Sequence, residues 1–186
     1  SVSTTSNLGA NVTTTGTQTY TGAVTLSGAA RTLTTTGDTV TFSSTVDGAQ
    51  DLTVDTNGTD NLSSLATVQF GGVVGGTTPV GAIIITGNLD LNADILQSDN
   101  TAGATSVAVS GTSDLGANVK TTGNQTYTGN TTVSADITLT GGAQLTFGGT
   151  VNSSSTDSAS DTDNLSTVFT ETEFDGIVGG TYGLGA

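Results

Sequence analysis

The sequence predicts an all-β protein folded as a parallel β-solenoid, with a pair of β-sandwich repeats as the alternative. Three observations lead there. Short bursts of alternating polar and apolar residues run through the 186-residue chain, among them "AVTLSG", "DTVTF", "DITLTGG" and "QLTFGG". Each burst is four to six residues long and closes on Gly, Asn-Gly or an Asp-containing turn, the punctuation of strands rather than helices. The chain also writes one phrase twice: "SNLGANVTTTGTQTYTG" at 6–22 returns as "SDLGANVKTTGNQTYTG" at 113–129, without a gap and at a shift of 107. Such a match marks copies of one structural unit.

The bursts choose between the two folds. Strands this short, with small inward residues and sharp Gly, Asn and Asp corners, suit a narrow coil. A sandwich usually carries bulky aromatic anchors, and aromatic residues are 4% of this chain. Parity along each burst gives the expected core. Val24 with Leu26, Val40 with Phe42, Leu52 with Val54, Ile137 with Leu139, and Leu145 with Phe147 share a face at i and i+2. Phe70, Ile84 and Phe174 join them as inward residues.

The repeat extends further. "TDNLSSLATVQFGGVVGGTTPVGA" at 59–82 matches "TDNLSTVFTETEFDGIVGGTYGLGA" at 162–186. The chain therefore divides into a first β-repeat copy at 1–87, a connector or extra coil at 88–107, and a second copy at 108–186.

Composition bounds the function. Threonine is roughly a quarter of the chain and charged residues only 10%, with a mean hydropathy of +0.03, which separates it from charge-dense disordered chains. The net charge is −14, with Arg31 and Lys120 the only Lys or Arg residues. Such a surface repels nucleic-acid phosphates and anionic membranes and attracts divalent cations. No apolar run approaches the roughly 20 residues of a membrane helix, so no membrane insertion is expected. The sequence has no initiator Met and no signal peptide, and reads as a mature or excised segment.

Candidate chemistry is sparse. With no His and no Cys there is no ready general base or thiol nucleophile. Lys120 stands where the first copy has Thr13, so that position does not require a cation. Asp38, Asp47, Asp51 and Asp55 could gather near Arg31, but they fall mainly at turns, where Asp commonly bonds its own backbone. No enzyme is expected.

Calcium is the possible cofactor. "DTNGTDN" at 55–61 and "SDTDN" at 160–164 concentrate oxygen ligands, with Asp55, Asn57 and Asp60, or Asp161 and Asp163, as candidate metal residues. An Asx-turn explains the same letters. Thr-x-Thr rows at 17–21 and 32–36 could align hydroxyls and methyls as in ice-binding solenoids, though cross-strand Thr pairing needs no ligand. The Asn-x-Ser/Thr triplets at Asn11, Asn57, Asn124 and Asn130 are expected by chance in so Thr-rich a chain.

The phrases "TTTGTQTYTGAVTLSG", "GDTVTFSSTVDGAQDLTVDTNG" and "VQFGGVVGGTTPVGAIIITG" resemble the β-strand repeats of large exported bacterial proteins, the filamentous-haemagglutinin-like and autotransporter-like adhesins. The resemblance covers most of the chain outside 88–107 and implies a secreted, extracellular rod at the cell surface or in a matrix. It carries no ligand or catalytic residue. The expected function is a repeat unit of a head-to-tail surface fibre, with an adhesin stalk as the alternative. Reading "GLGA" into "SVSTTSNLGANV" continues the repeat, so a junction at Ser1, Val2, Leu184 and Ala186 with a further copy is the expected partner contact.

Overall fold

The computed structural model describes residues 1–58, 65–154 and 163–180, and these contain strands and turns but no helix. The chain winds as a β-solenoid, visiting three faces in a fixed order. β1 (Ser6–Leu8), β2 (Val12–Thr13) and β3 (Gln18–Tyr20) lie on faces one, two and three. β4 (Val24–Leu26), β5 (Arg31–Thr34) and β6 (Val40–Phe42) lie next to them in the same order. β7 (Val46–Asp47), β8 (Leu52–Asp55) and β9 (Thr67–Phe70) follow.

In the next two coils face one is held by single bridges at Val74 and Ile95. Faces two and three there carry β10 (Val80–Thr86) with β11 (Asn88–Leu91), then β12 (Ala104–Val109) with β13 (Ser113–Leu115). β14 (Val119–Lys120), β15 (Gln125–Tyr127) and β16 (Thr131–Val133) restore strands on all three faces. β17 (Ile137–Thr140), β18 (Gln144–Phe147) and β19 (Val151–Ser153) continue, and β20 (Leu165–Val168) and β21 (Glu171–Phe174) end the run. Every ladder between these strands is parallel. Among the described residues face two is eight strands deep, and one core runs through both sequence copies.

The inward residues stack in ranks, because each rung sits in register on the one before it. On face three the rank is Tyr20, Phe42, Phe70, Leu91, Leu115 and Val133. On face two it is Leu33, Val54, Ile85, Val109, Tyr127, Phe147 and Phe174. Tyr20, Phe42 and Phe70 stack with ring centroids 5.2 and 5.1 Å apart, and Tyr127, Phe147 and Phe174 repeat this at 5.3 and 5.2 Å. The strand spacing of about 4.8 Å sets these distances, so parallel stacking of aromatic side chains on successive rungs is built into the fold.

The doubled phrase has a structural use. Gln18 Nε2 donates to the Thr34 carbonyl at 2.9 Å and to Thr14 Oγ1 at 3.2 Å, while the Tyr20 hydroxyl donates to Gln18 Oε1 at 3.0 Å. The second copy builds the same lock: Gln125 Nε2 to the Thr140 carbonyl at 3.0 Å and to Thr121 Oγ1 at 3.2 Å, Tyr127 to Gln125 Oε1 at 3.1 Å. All four side chains are buried. A buried amide must have partners, and here the corner backbone supplies them.

The two locks do not lie on the same face. β3 is on face three and β15 on face two. From β3 to β15 the chain takes fourteen steps, twelve strands and the bridges at Val74 and Ile95, and fourteen is not a multiple of three. Each strand of the second copy is therefore displaced by one face from its counterpart in the first.

Two expected core residues behave differently. Ile84 points outward at 44% exposure between Thr53 and Ala108, while Ile83 and Ile85 are buried against Leu52 and Val54. Three consecutive isoleucines give parity no purchase. Phe174 occupies the inward rank and stacks on Phe147, but it is 41% exposed, and among the described residues no strand pairs with β21 on its other side.

Candidate functional site

Many side-chain oxygens of the described turns are engaged by the next coil. Asp51 Oδ1 accepts from Ala82 N at 2.8 Å, Asp94 Oδ1 from Asn118 N at 2.9 Å, and Asp136 Oδ1 from Asn164 N at 2.9 Å. Asp47 Oδ1 accepts from Thr77 N and Thr78 N at 2.8 and 3.0 Å. Asn11, Asn118, Asn124 and Asn130 do the same for Thr32, Thr138, Gln144 and Thr150. The expectation that turn Asp bonds its own backbone is corrected for these residues. They bond the coil above, clamping successive corners together.

Asp55 does follow the local pattern. Its Oδ1 accepts from Asn57 N at 3.0 Å and Gly58 N at 3.2 Å, an Asx-turn closed by Gly58 at φ +55. Asp163 Oδ2 accepts from the hydroxyls of Ser153 at 3.1 Å and Ser154 at 3.0 Å. Asp60 and Asp161 lie outside the described residues. Among the described residues no three His, Cys, Asp or Glu side chains are grouped so as to hold a metal ion.

Arg31 does not meet the carboxylates that sequence reasoning placed near it. It sits in the inward rank opposite Leu52, and its guanidinium donates to the carbonyls of Leu8 at 3.0 Å, Ser27 at 3.0 Å and Ala30 at 3.2 Å. Its charge is used to satisfy backbone acceptors inside a corner.

A protruding loop at 97–101 was not anticipated. It closes with Leu96 bridged to Ala102 and Asn100 at φ 64, and it separates two surface clefts. One, of about 440 Å³, is lined by residues including Val73, Thr77, Asp94 and Gln97; the other, of about 270 Å³, by residues including Asn100, Asn118, Lys120 and Thr138. Lys120 Nζ donates to the Asn100 carbonyl at 2.5 Å. Hydrogen bonds from the Thr101 hydroxyl and backbone N–H lower the pKa of Asp99, with a smaller contribution from Lys120. The signal in the sequence was the Asp-Asn pair inside a stretch with no counterpart in the other copy.

The Thr rows are interrupted. Outward on face two, Thr32 and Thr53 are followed by Ile84 and Ala108, then Thr126 and Thr146, and finally Glu173. Thr19 and Thr41 on face three are followed by Gln69 and Asp90.

Large hydrophobic side chains are exposed at the first and last described rungs. Val2 pairs with Tyr20 as a single parallel bridge and is 39% exposed, beside a cavity of about 120 Å³ lined by residues including Ser1, Val12, Gln18 and Tyr20. At the other end Phe174, Ile177 and Val178 are exposed. Of the expected junction residues Ser1 and Val2 are thus at the first end, while Leu184 and Ala186 lie outside the described residues. Comparison with protein-family models, curated proteins and solved structures gives no match to this chain.

Proposed function

We propose that the chain is a structural, non-catalytic segment of an exported bacterial surface protein, one unit of a fibre, filament or matrix at the cell surface. The observation that carries the proposal is the uninterrupted parallel stacking of face two through both copies. A solenoid of this kind transmits load along its axis through rows of backbone hydrogen bonds, and lengthening it requires only further coils. The corner clamps from Asp and Asn to the next coil reinforce the same axis. The net charge of −14 keeps rods hydrated and laterally apart. The resemblance to β-strand repeats of exported adhesins supports the surface location.

A second reading, the stalk of a giant adhesin, is favoured by the one-face displacement between copies. Equivalent outward residues then point in different directions, which suits a spacer better than a one-sided binding surface.

Small-angle scattering tests the mechanical reading. Face two alone spans about 34 Å from first to last rung, seven steps of about 4.8 Å. A tandem dimer should lengthen at constant cross-section. A tandem dimer that thickens instead of lengthening would contradict the proposal. Protease shaving of intact cells tests the location: a surface fibre is cleaved from outside.

A further inference from the structure

We propose that the cleft between the 97–101 loop and face one binds a sugar acid, a hydroxylated ring carrying one carboxylate, with Lys120 holding that carboxylate. The site goes beyond the mechanical reading and stands independently of it. Two departures from the regular coil meet there. Corners joining a strand of face one to a strand of face two are two to four residues long, but eight residues, 96–103, separate Ile95 from Ala104. Insertions in a repeat fold commonly build its binding face. Lys120 is the second departure. The first copy holds Thr13 at that position, so the coil needs no cation there, and this is the only lysine of a chain with net charge −14.

The loop is a preformed wall. Gln97 N donates to the Thr101 carbonyl at 3.0 Å and Asn100 N to the Gln97 carbonyl at 2.9 Å, while Ser98 N ties the loop to the Gly76 carbonyl at 3.2 Å. Asp99 keeps its carboxylate within the loop, Oδ1 accepting from the Thr101 hydroxyl at 2.6 Å and N–H at 3.1 Å. Lys120 Nζ uses one of its three donors on the Asn100 carbonyl, a neutral acceptor. Among the described residues the Thr138 and Thr140 hydroxyls and the Asn100 side-chain amide, which line the same cleft, make no hydrogen bond and are open to a ligand. Leu96 supplies an apolar wall for the carbon face of a ring. Thr138 and Thr140 stand two residues apart on β17, and Asn118 lies one rung from Thr138. Polar groups are therefore set about 4.8–6.6 Å apart, as around a single sugar ring. The cleft volume of about 270 Å³ limits the ligand to roughly that size. One positive charge sets the ligand's charge. Acids farther off than about 8 Å are screened at physiological salt, and a monoanion meets less repulsion from Asp94 and Asp99 than a phosphate dianion.

Amide NMR shifts of the 186-residue chain, titrated in parallel with sodium glucuronate, glucose and sodium acetate, test the site. Glucuronate should move the amides of Leu96, Asn100, Lys120, Thr138 and Thr140. It should bind at least about tenfold more tightly than glucose, which lacks the carboxylate, or acetate, which lacks the ring. Added salt should weaken it. Lys120→Thr installs the residue of the first copy and should bring glucuronate down to the affinity of glucose. Asn100→Gly, suited to the φ of 64 at that turn, should keep the loop and weaken binding severalfold. Thermal melts check that both variants fold, and the ranking of the three ligands on the unsubstituted chain decides the matter without either. Glucose or acetate binding as tightly as glucuronate, shifts centred elsewhere, full binding by Lys120→Thr, or no shift at all would overturn the proposal.

Discussion

Replacing Phe42 by Ala should destabilise the rod far more than the same change at Phe174. Phe42 has no exposed surface and lies between Tyr20 and Phe70, with ring centroids at 5.2 and 5.1 Å. Phe174 is 41% exposed and stacks on one ring only. Truncating a buried Phe costs about 3–5 kcal/mol, from lost transfer energy and the cavity left behind. The cavity at Phe42 cannot collapse easily, because rungs above and below are pinned in register by ladders on all three faces. We therefore place Phe42→Ala at about 4 kcal/mol, which for a chain of this length lowers Tm by about 8–16 °C. Phe174 is already 41% exposed and among the described residues stacks on Phe147 alone, so about 1–2 kcal/mol is expected. Urea denaturation followed by far-ultraviolet circular dichroism measures both, with thermal melts as the second readout. Equal losses at the two positions, or less than about 1 kcal/mol at Phe42, would refute the stacked-rank account of the core.

Three further outcomes follow from the geometry. Ile84→Asp should leave the fold intact while Ile83→Asp should prevent or severely weaken folding, since one side chain faces solvent and the other the core; the order of their melting temperatures checks this. Burial raises the Tyr127 phenol well above the ordinary tyrosine value, so both folded and unfolded states are protonated below about pH 10 and stability there owes nothing to this group. Above about pH 10 the unfolded state ionises first, and stability should fall by up to about 1.4 kcal/mol per pH unit, a slope that Tyr127→Phe should reduce in alkaline denaturation. Calcium held at the 55–61 or 160–164 loops should raise Tm in a titration reversed by a chelator; because Asp55 is engaged in an Asx-turn, Asp55→Ala should lower Tm even without calcium.

The β-solenoid was legible because its rules are local. Strand length, Gly and Asn corners, and the parity that buries Val24, Leu26, Leu52, Val54, Leu139 and Leu145 all act within a few residues. What was not legible depends on the neighbouring coil. Ile84 lies in a run of isoleucines where only pairing with Thr53 and Ala108 decides which side faces in. Phe174 has the sequence of a core residue, and its exposure reflects what sits on it. Asp51 reaches Ala82 and Asp94 reaches Asn118, separations of 31 and 24 residues that no turn motif encodes. The one-face displacement between copies arises from the number of strands between them, which depends on the short bridges at Val74 and Ile95. Calcium candidates were read from oxygen-rich loops, yet Asp55 shows that the same letters serve an Asx-turn.

The central claim is the stacking itself, and one distance tests it most directly. The chain has no cysteine, so Thr32→Cys with Thr146→Cys gives two clean attachment points for spin labels. Both threonines point outward on face two, in one rank that passes through Thr53, Ile84, Ala108 and Thr126. They are 114 residues apart in sequence (146 − 32) and five rungs apart in space. Double electron–electron resonance should give a narrow distribution centred near five steps of about 4.8 Å, or about 24 Å before allowing for the labels. A broad distribution, or a mean beyond about twice that value, would contradict the solenoid and the rod built on it.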